Sequence, residues 1–126
     1  RVEWGAYAWR DLMDAGAIIA NGTDAPVEDV DPIASYYSSV SRMMGNGEVL
    51  TPRQKMTRME ALKSYTINNA YAGFEEDIKG SLEVGKLADI TVLDRDILTI
   101  PEDDIPNIEV SYTIVGGEIM FSGDSN

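Results

Sequence analysis

The residue best placed to do chemistry is Asp24, in the run Asn21-Gly22-Thr23-Asp24-Ala25-Pro26. Just before it, Ala17-Ile18-Ile19-Ala20 is apolar with no polar alternation, the pattern of a strand buried on both faces. Glycine and proline then break the pattern, which puts Asp24 in the loop past the strand's carboxyl end. In parallel α/β architectures catalytic groups gather at that edge. A carboxylate there can ligate a metal ion or carry a proton. It can equally cap backbone N–H groups of its own turn, and spacing alone favours that plainer role.

The remaining acidic clusters offer less. Glu28, Asp29 and Asp31 lack the alternating order and glycine of a calcium loop, and Asp31-Pro32 reads as a helix cap followed by proline at the first helical position. Asp94-Arg95-Asp96 and Glu102-Asp103-Asp104 also lack a metal-loop glycine and a distal bidentate glutamate, so both are read as solvated turns. No phosphate-loop run surrounds Gly80, Gly85 and Lys86, which leaves Lys86 a packing or solvent-facing role.

The elements that must hold Asp24 follow from periodicity. Trp9, Leu12 and Met13 predict a short helix over residues 9–15, stopped at Gly16. Ile33 to Met44 reads as a helix with Ile33, Tyr36, Tyr37, Val40, Met43 and Met44 on one face, closed by Gly45-Asn46-Gly47. Thr51-Pro52-Arg53-Gln54 reads as a capping box opening a further helix to about Tyr65, and Asn68 to Phe74 has room for a shorter one. Met43, Met44, Met56 and Met59 are read as core filling. After Asp77 the pattern turns extended: Ile90 to Leu93 predicts a strand, and Val110 to Val115 with Glu118 to Phe121 a hairpin turned on Gly116-Gly117. Pro101 to Pro106 is read as a solvated connection.

Composition limits what these elements can do. With 126 residues and 44% hydrophobic content, one or at most two compact units fit. Lys+Arg total 10 against Asp+Glu 22, a formal charge of -12, which argues against nucleic acid and anionic membrane surfaces as partners. The chain has no cysteine and no histidine. The first zero removes disulfides and thiolate chemistry and fits a cytoplasmic protein; the second removes the commonest metal ligand and near-neutral base. A lone aspartate is therefore an incomplete site. The chain opens at Arg1 with no leader-like segment, which fits a fragment, a processed product or a trimmed chain.

Two segments carry a resemblance. Gly22-Thr23-Asp24-Ala25-Pro26-Val27 followed by Asp31-Pro32-Ile33 resembles the last-strand motif of the amidohydrolase superfamily, in the branch typified by N-substituted formamide deformylases. Gly80-Ser81-Leu82-Glu83-Val84-Gly85-Lys86-Leu87-Ala88-Asp89-Ile90-Thr91-Val92-Leu93-Asp94 resembles the stretch by which such enzymes return to a small β-sandwich. Tyr65 to Ala72 joins them, and the resemblance runs from about Trp9 to Phe121. Thr23 stands where serine is common, which leaves the carboxylate's placement unaffected.

The resemblance implies an α/β chain that is the C-terminal fragment of a (β/α)8 metal-hydrolase barrel, its last strand and closing helices within residues 1–76, followed by β-sandwich strands in residues 77–126. It implies that Asp24 is both metal ligand and proton shuttle in hydrolysis of a non-peptide C–N bond of a small amide or formamide. The cofactor would be a divalent metal, zinc in the first place, whose other ligands lie in an N-terminal part of the same protein; this piece alone would hold it loosely and be inert. A homo-oligomer is compatible with that reading. Two rivals stay open: a self-sufficient acidic interaction module without catalysis, and a deaminase or cyclic-amide hydrolase of the same superfamily.

Overall fold

A computed structural model describes residues 5–123. The chain forms two compact units, Arg1–Tyr65 and Thr66–Asn126. Among its described residues the first holds the α-helices α1 (Trp9–Asp14), α2 (Pro32–Ser41) and α3 (Arg58–Tyr65). The second holds α4 (Ile67–Ala72) and strands β1 (Ile90–Leu93), β2 (Val110–Val115) and β3 (Glu118–Ser122).

In the first unit α2 starts as its sequence dictates. The Asp31 carboxylate accepts from the backbone N–H groups of Ile33 and Ala34, both at 3.0 Å, and Pro32 occupies the first helical position, where its missing donor costs nothing. The helix ends before the expected Met44, because Arg42 turns left-handed at φ 57°; the chain then doubles back, and Met43 bridges to Val49. Tyr36 and Val40 from α2 and Ala61 from α3 are buried, together with Met56 from the connection. Met43 and Met59, expected in the core, are exposed.

Two further expectations fail in this unit. The box over Thr51 to Gln54 is a single 3-10 turn, Pro52–Gln54, whose Thr51 side chain caps nothing. The working capping box lies further on: Glu60 Oε2 accepts from the Thr57 N–H at 2.8 Å while the Thr57 hydroxyl accepts from the Glu60 N–H at 3.3 Å. Ala17 to Ala20, expected as a buried strand, is irregular chain with Ile18 54% exposed. A parallel strand exists only through ladder bonds to neighbours, and no strand pairs with this segment among the described residues.

In the second unit the order of the antiparallel sheet is β1-β2-β3. Ile90 faces Ile114 across β1 and β2, and Ile114 faces Ile119 across β2 and β3. Gly116 and Gly117 make the hairpin turn at φ 59° and 87°, the left-handed pair that a tight two-residue loop demands. The stretch expected to be a solvated connection forms a 3-10 helix, Glu102–Asn107, which buries Ile105 completely; Ile97 and Ile108 are buried too. Asp96 behaves as the turn residue it was read to be, its carboxylate accepting from the Leu98 N–H and the Thr99 hydroxyl. Lys86 donates to the Ser81 hydroxyl at 2.7 Å and lies 3.8 Å from Glu83, with only 12% of its side chain exposed.

Candidate functional site

Asp24 lies on a loop of the first unit that begins at Asn21 and ends at the Asp31 cap of α2. Its backbone is left-handed, φ 58°, ahead of a cis peptide between Ala25 and Pro26. Aspartate is among the few non-glycine residues that enter this region readily. The turn closes through the main chain: the Asp24 carbonyl accepts from the Val27 N–H at 2.8 Å. The carboxylate is exposed and, among the described residues, has no hydrogen-bond or ion-pair partner. The turn-capping role that spacing alone favoured is therefore not what this side chain does here.

The loop is tied down at Asn21. Its N–H donates to the Ser64 carbonyl of α3 at 3.0 Å, its Nδ2 donates to the Ser39 hydroxyl of α2 at 3.0 Å, and its Oδ1 accepts from the Gly22 N–H at 3.0 Å. Ser39 is buried, and its hydroxyl donates to the Ser35 carbonyl at 3.0 Å. The half-buried Tyr65 phenol hydrogen-bonds to Ser39 and Ser35, and burial pushes its pKa up against the partial offset of those bonds. Reading from Asp24 alone misses this group. Its visible trace is Ser35 and Ser39, four residues apart on the side of α2 that also carries Tyr36 and Val40.

Several other charged side chains of the unit are engaged. Arg10 forks onto Glu60 at 2.9 and 2.5 Å, Arg53 onto Asp11 at 2.7 Å in both contacts, and the buried Gln54 Oε1 accepts from the Arg10 and Asp11 N–H groups at 2.8 and 3.2 Å. Hydrogen bonding to Arg10 first, and to Thr57 as well, holds the Glu60 carboxyl down at about 2 against some desolvation. Asp24 differs from these acids in that, among the described residues, neither of its oxygens has a partner. Such a carboxylate suits one ligand position on a hard or borderline cation. Among the described residues no three His, Cys, Asp or Glu side chains gather as a metal cluster, so the fit is that of a single ligand.

Comparison with known proteins identifies the family. The model of the Amidohydrolase family matches residues 2–121. The chain belongs to the amidohydrolase family. It is 33% identical to the N-substituted formamide deformylase of Arthrobacter pascens over 89% of its own length and 21% of that protein. It is 30% identical to an imidazolonepropionase of Porphyromonas gingivalis over 90% of its length and 25% of that relative. An uncharacterized metal-dependent hydrolase from Pyrococcus horikoshii superposes with a TM-score of 0.70 at 36% identity, over 82% of this chain and 21% of the other. The chain thus spans about a fifth to a quarter of the proteins it matches. Its superfamily is that of the metal-hydrolase barrels. No helix among the described residues is long and apolar enough to cross a membrane.

Proposed function

We propose that this amidohydrolase-family chain is the C-terminal portion of a (β/α)8 barrel hydrolase, residues 1–76 closing the barrel and residues 77–126 entering a β-sandwich. In that reading Ala17 to Ala20 becomes the last barrel strand once neighbouring strands supply its ladder. The reaction is hydrolysis of a non-peptide C–N bond of a small amide, with formamides first because of the deformylase relative. Asp24 is metal ligand and proton carrier. The observation that supports this is the exposed carboxylate of Asp24, unpaired among the described residues and held out on a loop anchored at both ends.

A divalent metal, with zinc the first choice, would lower the pKa of water to about 7 and polarise the substrate carbonyl. The chain's own contribution is the carboxylate. One Asp24 oxygen serves as ligand, and the other accepts the proton that the attacking water must lose. As the C–N bond breaks, the same oxygen returns that proton to the departing amine nitrogen, which leaves neutral. The remaining ligands belong to other strands of the barrel, and the 126-residue chain alone is inactive in this reading.

The test is Asp24→Asn in the intact enzyme. Loss of proton transfer by one positioned group is expected to cut kcat by about 10²–10⁴-fold in a protein that still folds and assembles. Near-normal turnover would end the assignment. A second reading, cyclic-amide hydrolysis, draws support from the imidazolonepropionase relative; competition assays with linear formamides against cyclic amides separate the two.

A further inference from the structure

We propose that Asn21 and Ser39 are positioning residues for Asp24: the hydrogen bond between them sets where the carboxylate stands, an inference that rests on the role assigned to Asp24 above. Apart from those of Asn21, whose N–H also reaches the Ser64 carbonyl of α3, and the Asp31 cap, the loop's hydrogen bonds among the described residues stay within it. Gly22 donates to Asn21 Oδ1, Val27 to the Asp24 carbonyl and Asp31 to the Asp29 carbonyl. Residues 24–31 are exposed throughout, so no burial fixes them. What remains is one anchor at each end, and each end has a contact on α2. At the far end Asp31 caps the start of α2; at the near end Asn21 Nδ2 reaches the Ser39 hydroxyl at 3.0 Å. At about 1.5 Å rise per residue those anchors stand about 12 Å apart along α2, and the loop carrying Asp24 is slung between them like a handle.

The chemistry of the near anchor fits a positioning role. Ser39 is 8% exposed, so its hydroxyl must be satisfied, and it is: it donates to the Ser35 carbonyl and accepts from Asn21. An amide donor three residues ahead of Asp24 uses its N–H, on Ser64, and its Oδ1, on Gly22, for holding as well. Neither Asn21 nor Ser39 is placed to touch substrate in this account. They act through Asp24, and a misplacement of about 1 Å at such a group can cost about 10²-fold in rate.

The experiment pairs a metal-free measurement with kinetics. In this chain, Ser39→Ala is expected to speed amide exchange at Gly22 and Val27 by about tenfold or more, whereas Ser39→Thr, which keeps the hydroxyl, stays within a few-fold of wild type. Ser38→Ala, on the exposed side of the same helix, should leave both amides unchanged. In the intact enzyme Ser39→Ala is expected to lower kcat by about tenfold or more with KM little changed, again restored by threonine. Should Ser39→Ala destabilise the unit too far to study, Asn21→Ala supplies the same readouts. If Asp24→Asn abolishes turnover while Ser39→Ala and Asn21→Ala keep wild-type kcat, the positioning proposal is overturned and the Asp24 role stands. If Asp24→Asn is itself active, the underlying reading fails, whatever the exchange data show.

Discussion

A methyl group at position 80 has nowhere to go. An alanine Cβ there would lie 2.7 Å from the Ala70 Cβ and 3.0 Å from the Ile67 Cα, with the backbone at φ 92°. Ala70 is buried and its methyl is a rigid stub, so no rotation relieves the clash. Gly80→Ala is expected to destabilise the second unit by about 2–4 kcal/mol, from overpacking plus the left-handed penalty, read as a lower midpoint in urea unfolding. Gly85, at φ 99° with open space around it, pays only the conformational part and should lose less. The comparison separates packing from backbone strain. Two glycines that look alike as punctuation in the sequence thus differ in physical role, and only their three-dimensional neighbours reveal it.

Among the elements, those with local causes were legible from sequence. Asp31-Pro32 opens α2, Gly16 follows α1 with φ 91°, and Gly116-Gly117 turns the hairpin, because caps and tight turns are decided by residues within a few positions of each other. Elements with distant causes were not. Ala17 to Ala20 has strand composition but no ladder partner among the described residues, and Thr51 to Gln54 has the letters of a capping box while Thr57 to Glu60 has its bonds. The free state of the Asp24 carboxylate and its Asn21 anchor were equally out of reach, since both depend on where α2 and α3 pack. Asp31→Ala removes two backbone N–H acceptor contacts at once and should cost about 1 kcal/mol. Asp31→Asn should recover most of it, by thermal or denaturant melts followed at the helix band.

At the scale of the whole molecule, a formal charge of -12 is carried by two units. The first is stapled: Arg10 on α1 forks onto Glu60 on α3, and Arg53 onto Asp11. Arg10 keeps the Glu60 carboxyl ionised down to about 2, against an ordinary value of 4.5. A depressed acid of this kind stabilises the fold above its unfolded pKa and loses that contribution as pH falls toward the folded one. The first unit should therefore weaken between pH 4.5 and about 2. Glu60→Gln should flatten that part of the acid unfolding curve, with tryptophan fluorescence as the readout; an unchanged acid limb would show that the staple contributes nothing measurable.

The left-handed backbone at Asp24 has a bearing on how its side chain can be questioned. An alanine at φ 58° carries about 1–2 kcal/mol of steric penalty, so truncation alters the loop's resting shape and the chemistry together. Asparagine tolerates the same region nearly as well as aspartate, and glycine more easily than either. The three replacements therefore form a graded set: asparagine removes the charge and keeps the shape, glycine removes the side chain and frees the shape, alanine disturbs both. Variation at this position in natural or selected sequences is subject to the same filter. A drift to any bulkier or branched residue would have to pay in backbone strain before its chemistry could be judged at all.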